Sequence, residues 1–509
     1  MDNVLMLLDG FAQALTPLNL LMAAIGVLVG TFVGVLPGLG PTSSIAILLP
    51  VTGVLEPTQA IIMLAGIYYG AMYGGSTTAI LLNIPGEASS VPTCLDGFPL
   101  AQQGRGGPAL GIAAIASFIA GILGVVGLVL FAPLLANQAL RFGPPEMFSV
   151  LLLTLVIMMG MTGARFVKAA IMALAGLALS LIGLGANSGM YRFTLGWGPL
   201  EGGLDMVSIL IGFFSISEVM RGVAEKKQAI SGGRIGSVYP SRKDLKQSAV
   251  AIGAGGGIGF FMGLLPGCSA AVTSFMSYDF VKKISRRRHL FGKGAIEGVA
   301  APEAANNATS SAGFVPLFAL GIPSSPPLAV LLAGLMIYGL TPGPMLFEQK
   351  GSFVWTVIAS MFIGNVLLLV LNLPLVGIWA KLTRVPFAIL GPIILLLSMI
   401  GAYTVRNSLF DVQVAVVFGI AGYYLQKHDW PTMPFILCFI LGPMVEQAFL
   451  QSMAISGGSL AIFVQRGLSL FFIGAAAVML LLSLYMVRRT RQRLREERGE
   501  ALSILNSEA

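Results

Sequence analysis

The stretch Gly30-Thr-Phe-Val-Gly-Val-Leu-Pro-Gly-Leu-Gly-Pro-Thr-Ser-Ser44 returns later in the chain as Gly259-Phe-Phe-Met-Gly-Leu-Leu-Pro-Gly-Cys-Ser-Ala-Ala-Val-Thr273. Gly34, Leu36, Pro37 and Gly38 align with Gly263, Leu265, Pro266 and Gly267. In each copy an apolar run is interrupted by Pro-Gly and followed by small hydroxyl residues. Pro and Gly break helices, and a broken helix in a bilayer leaves backbone groups unpaired unless they line a cavity or bind a ligand. Paired breaks in the two halves of a membrane protein point to a transport site. A plain helix end would not need to recur with the same flanks.

Composition sets the surroundings. The 509 residues are 56% hydrophobic and only 10% charged. Apolar runs near the length of a bilayer crossing recur along the chain, so a polytopic all-α membrane protein is expected. No basic residue precedes the first apolar run, and no secretory signal is expected there. Cys94, Cys268 and Cys438 are far apart and show no metal spacing. The net charge of +8 lies in clusters at Arg221–Lys246, Lys282–Lys293 and Arg488–Arg498. These clusters read as cytoplasmic loops and a cytoplasmic C-terminus, not as a nucleic-acid surface.

Residues 249–280 lie between two such clusters and must leave the cytoplasm and return. They are too few for two spans of roughly 20 residues plus a turn, so a re-entrant hairpin is expected. The first hairpin is expected over 18–55. The spans expected after it are 58–84, 109–135, 146–164, 168–187 and 205–220. After the second hairpin come 295–322, 353–375, 386–404, 411–426, 432–450 and a last helix, 467–487, making about 11. An odd number of spans separates the hairpins, which implies an inverted-topology repeat. The domain reading is 1–220 for the first repeat and 221–248 for a basic linker. It continues with 249–450 for the second repeat, 451–487 for a final helix and 488–509 for a basic tail. Ile115-Ala-Ser-Phe-Ile-Ala-Gly121 against Ile358-Ala-Ser-Met-Phe-Ile-Gly364 extends the repeat beyond the hairpins.

A second polar feature follows each hairpin. Tyr68-Tyr-Gly-Ala-Met-Tyr-Gly-Gly-Ser-Thr-Thr78 ends at Asn83-Ile-Pro-Gly86, and Pro302-Glu-Ala-Ala-Asn-Asn-Ala-Thr-Ser-Ser311 ends at Gly321-Ile-Pro-Ser324. Small residues in a span can serve helix packing alone. The amides and hydroxyls here exceed that need, and Gly74-Gly75 invites an unwound turn. Helix N-termini suit a carboxylate, and freed carbonyls and hydroxyls suit Na⁺. The expected substrate-binding residues are Pro37, Gly38, Leu39, Gly40, Pro41, Thr42, Ser43, Gly75, Ser76, Thr77, Pro266, Gly267, Cys268, Ser269, Asn306 and Asn307. The expected cation ligands are Gly38, Gly40, Asn83, Gly267, Ser269, Asn307, Thr309 and Ser310. No catalytic residue, metal beyond Na⁺ or cofactor beyond a coupling Na⁺ or H⁺ is expected. Glu303 is an intramembrane carboxylate that faces the cavity or carries a proton.

Several motifs make the chain resemble the large membrane subunit (TctA-like) of the tripartite tricarboxylate transporter family. They are Gly34-Val-Leu-Pro-Gly-Leu-Gly-Pro41, Tyr68-Tyr-Gly-Ala-Met-Tyr-Gly-Gly75, Leu95-Asp-Gly-Phe-Pro-Leu-Ala-Gln-Gln-Gly104, Ala304-Ala-Asn-Asn-Ala308 and Asn372-Leu-Pro-Leu-Val376. The resemblance implies a permease of the bacterial inner membrane, driven by an ion gradient. It also implies a periplasmic solute-binding protein and a small membrane subunit as partners, with a carboxylate such as citrate as substrate. Assembly of that complex into a homo-oligomer stays open. Cys268 and Ala270 replace Leu39 and Pro41 in the second tip, so the two tips need not bind the same ligand. A cation-coupled symporter that moves its site as an elevator-type unit, 18–84 with 249–322, is the favoured reading. The pair 115–135 and 358–375 is expected to be its scaffold. An anion channel and an intramembrane enzyme are the alternatives.

Overall fold

The computed structural model describes residues 2–36, 40–185, 189–224, 237–382 and 387–507. In chain order the helices begin with α1 (Asp2–Ala14), α2 (Pro17–Val35), α3 (Pro41–Leu48), α4 (Pro57–Leu82), α5 (Val91–Gln102), α6 (Gly106–Ala139), α7 (Pro144–Gly160) and α8 (Phe166–Ser180). There follow α9 (Met206–Leu210), a π-helical turn (Ile211–Ile216) and α10 (Ser217–Ala224), which form one continuous rod. Then come α11 (Arg242–Gly263), α12 (Ala270–Ile284), α13 (Glu297–Ala312), α14 (Phe314–Leu320), α15 (Pro326–Ile337), α16 (Pro344–Gln349) and α17 (Gly351–Leu382). The chain ends with α18 (Phe387–Arg406), α19 (Leu409–Lys427), α20 (Met433–Ile455), α21 (Ile462–Gln465) and α22 (Gly467–Ser507). A two-residue antiparallel pair, Gly183–Leu184 with Tyr191–Arg192, is the only sheet among the described residues.

Eight helices are long and apolar enough to cross a membrane among the described residues: 17–35, 106–139, 206–224, 351–375, 388–406, 409–427, 433–455 and 467–485. The chain is therefore a multi-pass membrane protein. The expected spans 58–84, 146–164, 168–187 and 295–322 fall short of that standard. Helices α7 and α8 have only 17 and 15 residues. Helix α4 dilutes its apolar run with Tyr, Gly, Ser and Thr, and 295–322 is split at Gly313 between the polar α13 and the short α14. Leu123, Leu130 and Leu134 on α6, and Ile393, Leu396 and Ile400 on α18, are exposed. On rods of this length such faces are what lipid tails cover.

Two compact units emerge from the contacts. One holds residues 1–140 and 205–423, and the other 141–204 and 424–509. In the second unit α20 packs on α8 and α7, with the backbone of Phe435 seated against Gly176. Arg192 forms a two-pronged bond to Glu446, and Arg466 lies 3.6 Å from Glu146.

The first unit contains both hairpins and shows why the motif recurs. Along α2, Gly26, Gly30 and Gly34 rest against the carbonyls of Met63, Ile67 and Ala71 on α4. A Cβ on these glycines would lie 2.3–2.4 Å from those oxygens. Along α11, a Cβ on Gly255 or Gly259 would lie 2.3 Å from the carbonyl oxygen of Ala301 or Ala305 on α13, and one on Gly263 would lie 2.9 Å from the Thr309 backbone. A glycine every fourth residue puts the backbone stripe of one helix directly against its neighbour, the close-packing device of membrane helices.

This packing corrects one expectation. Gly74-Gly75 does not unwind α4, which runs unbroken to Leu82, and α13 is likewise continuous through Asn306–Ser311. The glycines are used for approach instead: a Cβ on Gly74 would lie 2.5 Å from the Thr31 carbonyl. The backbone breaks come later, at Asn83 and at Gly313 and Gly321.

Candidate functional site

Each hairpin turn starts a second helix. Pro37, Gly38 and Leu39 of the first tip lie outside the described residues. Gly40 then takes the N-cap of α3 and Pro41 its first position, where a missing N–H costs nothing. Thr42 is partly buried. Ser43 donates to the Phe214 carbonyl at 2.6 Å, which ties α3 to the π-helical turn and keeps this hydroxyl away from the other polar groups. In the second tip Pro266 leads into Gly267, whose φ of +83° only glycine adopts freely. Its N–H donates to the Ser324 carbonyl at 3.0 Å. Cys268 is buried, with its N–H closing the turn on Leu265. Ser269 is the N-cap of α12, but its side chain makes no cap bond.

The loops that follow α4 and α14 close on the hairpins. Asn83 and Gly321 end their helices in the left-handed region, with φ of 57° and 72°, and Ile-Pro follows each. After the first, Gly86 threads between α2 and α4. A Cβ there would lie 2.3 Å from the Gly34 carbonyl and 2.5 Å from Gly75 Cα. After the second, Ser324 holds Gly267 as above. Asn83, expected as a cation ligand, is exposed and serves as the αL cap of α4.

Between these closures lies a buried polar cluster with two carboxylates. Glu303 on α13 is fully buried. It accepts from Ser76 of α4 at 2.5 Å, from Thr93 of α5 at 2.6 Å and, at 3.5 Å, from Ser117 of α6. Three helices thus supply hydroxyls to one carboxylate. One turn further along α13, Asn306 donates to the Met72 carbonyl at 3.3 Å and to Glu87 at 3.4 Å. Glu87 stands just after Gly86, and its Oε1 also accepts from Ser89. Gly75 faces it closely: a Cβ there would lie 3.1 Å from Glu87 Cγ. Helices α4, α5 and α13 carry no Lys, Arg or His. A carboxylate that leaves water without a basic partner must be compensated by hydrogen bonds or by a captured cation.

The structure thus brings Gly75, Ser76, Asn306 and Asn307 of the expected site together around Glu303 and Glu87. Asn307 donates to the Glu303 carbonyl at 3.2 Å. Thr77 is buried in α4. Thr309 donates toward the Gly259 and Ala305 carbonyls and faces Thr273 at 2.8 Å, so it belongs to the α11–α13 seam. Ser310 donates to the Asn306 carbonyl at 2.9 Å. Among the described residues no group of three or more His, Cys, Asp or Glu is placed to hold a metal ion.

Glu87, Thr93 and Ser117 were not singled out from the sequence, and neither was Asp96. The first three carry no periodic signal, because they meet only in three dimensions. Asp96 stood inside the quoted 95–104 motif. It is fully buried and accepts the N–H groups of Gly292, Gly294 and Ala295 at 2.8–2.9 Å and the Tyr278 hydroxyl at 2.8 Å. Gly292 and Gly294 have φ of +82° and +107°, the conformation that turns successive amides toward one anion. Asp96 therefore fastens α5 to the start of α13 and fixes where Thr93 meets Glu303.

Comparison with known proteins accounts for both the recurring seams and the quoted motifs. The Tripartite tricarboxylate transporter TctA family matches residues 20–437. An Agrobacterium vitis protein, described as an uncharacterized 52.8 kDa protein in the TAR-I ttuC' 3' region, is 42% identical over 485 residues. That match covers 95% of this chain and 97% of the relative. A second A. vitis protein, described as an uncharacterized protein in the TAR-II ttuC' 3' region, is 40% identical over 234 residues, 46% of this chain and 97% of the relative. No solved structure matches. The family is one of transporters, not enzymes, and works with a solute-binding protein and a small membrane subunit. With both hairpins, the polar cluster and the 95–104 motif inside the matched residues, the chain belongs to the tripartite tricarboxylate transporter TctA family.

Proposed function

We propose that the chain is the permease subunit of a binding-protein-dependent secondary transporter that couples uptake of tri- or dicarboxylates such as citrate to a cation, Na⁺ in the first place. The observation that carries this reading is the polar cluster around Glu303, built by α4, α5, α6 and α13 inside a protein whose surface is fit for lipid. Unlike the structural Asp96, which is held by three backbone N–H groups, the Glu303 carboxylate is met by side-chain hydroxyls of three other helices, and an intramembrane carboxylate so placed is a candidate for transport. The tips add what an anionic substrate and Na⁺ require. The first turns of α3 and α12 carry amides that no side chain caps, and the Ser269 hydroxyl is free of a capping role. In this reading the chain lies in the bacterial inner membrane with a cytoplasmic C-terminus, and the two seams are the halves of an inverted repeat.

Alternating access keeps such a site enclosed while it moves. In this reading the 115–135 and 358–375 pair is the scaffold, and it packs closely against the helices of the site. A Cβ on Gly121 of α6 would lie 2.2 Å from Asn365 of α17, one on Gly124 2.8 Å from Ser311 of α13, and one on Gly364 2.1 Å from the Tyr69 hydroxyl of α4. These close approaches mark the surface that an elevator-like motion of 18–84 with 249–322 would have to cross.

The test is counterflow of labelled citrate in vesicles holding the complete complex, with and without Na⁺ and the solute-binding protein. Saturable exchange that depends on both is expected. Citrate flux that is linear in concentration and indifferent to Na⁺ would replace the symporter with a channel. No citrate flux, with exchange of a dicarboxylate, would retain the permease and change its substrate.

A further inference from the structure

Two neighbouring polar groups near Glu303 are left incomplete by the hydrogen bonds described so far. Asn306 is fully buried, and its amide nitrogen is engaged by Met72 and Glu87. Its amide oxygen has no hydrogen-bond partner among the described residues. An orphaned buried acceptor costs about 1–3 kcal/mol and calls for a donor. Exchanging the amide oxygen and nitrogen would not help, because the oxygen would then face the Met72 carbonyl and a Glu87 carboxylate oxygen. Glu87 Oε1 already accepts from Asn306 and Ser89. A proton on Glu87, whose carboxyl already meets the Asn306 amide, would supply the donor that the Asn306 oxygen lacks.

We propose that Glu87 is a proton-binding site of the transport cycle, paired with Asn306 as a carboxylic acid with a carboxamide. The pair is two-way. Asn306 donates from its nitrogen to Glu87 Oε1, and the protonated Glu87 Oε2 donates back to the Asn306 oxygen. One O–H bond forms on Glu87 as one breaks in the hydronium ion that delivers the proton, and the proton returns to water when the pair opens. The proposal rests on the permease reading and gives it a second coupling ion beside Na⁺.

The electrostatics agree with this assignment. Burial raises the Glu87 pKa above that of an ordinary carboxyl, the Ser89 hydroxyl lowers it in part, the neighbouring Glu303 raises it, and the Asn306 amide N–H lowers it by the least of the four, so the net direction is upward. Tyr68 of α4 is the other titratable group in electrostatic contact with it. The 3-10 turn Ala88–Ser90, which follows Glu87, also packs against α5 and α12. Helix α5 brings Cys94 and Asp96, and Asp96 is taken up by the 292–295 backbone. Helix α12 brings Tyr278, Asp279, Lys282 and Lys283, with both lysines exposed at its far end. Two carboxylates in electrostatic contact within one buried cluster do not both stay ionised. Glu303, held by three hydroxyls, is the one suited to keep its charge. Glu87, partly exposed where Glu303 is not, is the one a proton can reach.

The experiment is infrared spectroscopy of the purified full chain across a pH titration. A protonated-carboxyl C=O band is expected that disappears as pH rises and is missing at all pH values in Glu87→Gln. In Asn306→Leu the same band is expected to move to higher wavenumber, since its hydrogen bonds to Asn306 are gone while that from Ser89 stays; this second variant decides the matter if the first fails to fold. In vesicles with the complete complex, an acid-outside pH step should stimulate citrate uptake by the parent several-fold, and Glu87→Gln should lose that stimulation. A titrating band that persists unchanged in both variants would overturn the proposal, as would a parent-like response of Glu87→Gln to the pH step. If the parent moves no carboxylate under any gradient, the permease reading fails, while the infrared band still decides the proton site.

Discussion

The two hairpin-and-helix pairs, α2 with α4 and α11 with α13, share a frame and differ in chemistry. Both frames use three glycines at four-residue spacing to seat one helix on the carbonyls of the next. Helix α4 and, following α13, helix α14 each end in a left-handed cap followed by Ile-Pro. Yet the second pair places its carboxylate on the helix itself, as Glu303, whereas the first places Glu87 in the loop beyond the cap. The first pair sends Ser76 across to the second pair's carboxylate, and the second sends Asn306 back to Glu87. The two pairs thus share a packing geometry while their polar residues differ, and the site belongs to neither pair alone.

The shared frame is the easiest part to break. Gly30→Leu and Gly259→Leu each drive a side chain into backbone, 2.4 Å from the Ile67 oxygen and 2.3 Å from the Ala305 oxygen. Neither obstacle is a flexible side-chain end that could move aside. Each substitution is expected to cost about 3 kcal/mol or more. The measurement is thermal unfolding of the purified chain, and equal losses are expected from the two seams. If Gly259→Leu unfolded at the parent temperature, the α11–α13 seam would not be the equivalent of the α2–α4 seam.

A smaller loss is expected where the halves are joined. Asp96→Ala leaves three backbone N–H groups and the Tyr278 hydroxyl without their acceptor. Hydrogen bonds to a charged group are worth about 1.5–3 kcal/mol each in isolation, but water entering the cavity and a relaxing 292–295 loop recover part of it. We expect a net loss of about 2 kcal/mol and increased proteolysis between α12 and α13. Unaltered proteolysis would mean that Asp96 does not organise that loop.

These contacts explain how much of the molecule was legible in the sequence. The helix breaks were readable because Pro-Gly acts locally: α2 ends at Val35 and α3 begins at Pro41, and α11 ends at Gly263 and α12 begins at Ala270. The seam glycines were visible as letters, but their purpose was misread at Gly74-Gly75. A glycine that frees the backbone and one that admits a neighbour look identical without the neighbour. Glu303, Asn306 and Ser76 were visible because polar residues stand out in an apolar span. Glu87 was not, because it follows a helix end, where an acidic residue is unremarkable. Thr93 and Ser117 become ligands of Glu303 only once Asp96 has docked α5.

The finest comparison is between Ser76 and Thr309, which align at an offset of 233 residues, 309 minus 76. Ser76 reaches into the other half to bond Glu303 at 2.5 Å, while Thr309 stays within its own half, on the Gly259 and Ala305 carbonyls and on Thr273. The two should therefore fail differently. Thr309→Val keeps the shape and removes the seam bonds, for which about 1 kcal/mol of stability is expected. Thr273 keeps its bond to the Ala270 carbonyl, so nothing worse follows. Ser76→Ala leaves Glu303 with Thr93 and the long Ser117 contact, and the change lies in the site, not in the packing. Its expected signature is carboxylate uptake slowed roughly fivefold, about 1 kcal/mol, with the unfolding temperature close to the parent. A Thr309→Val variant with altered Na⁺ dependence at unchanged stability would return this residue to the cation ligands and erase the distinction between the two positions.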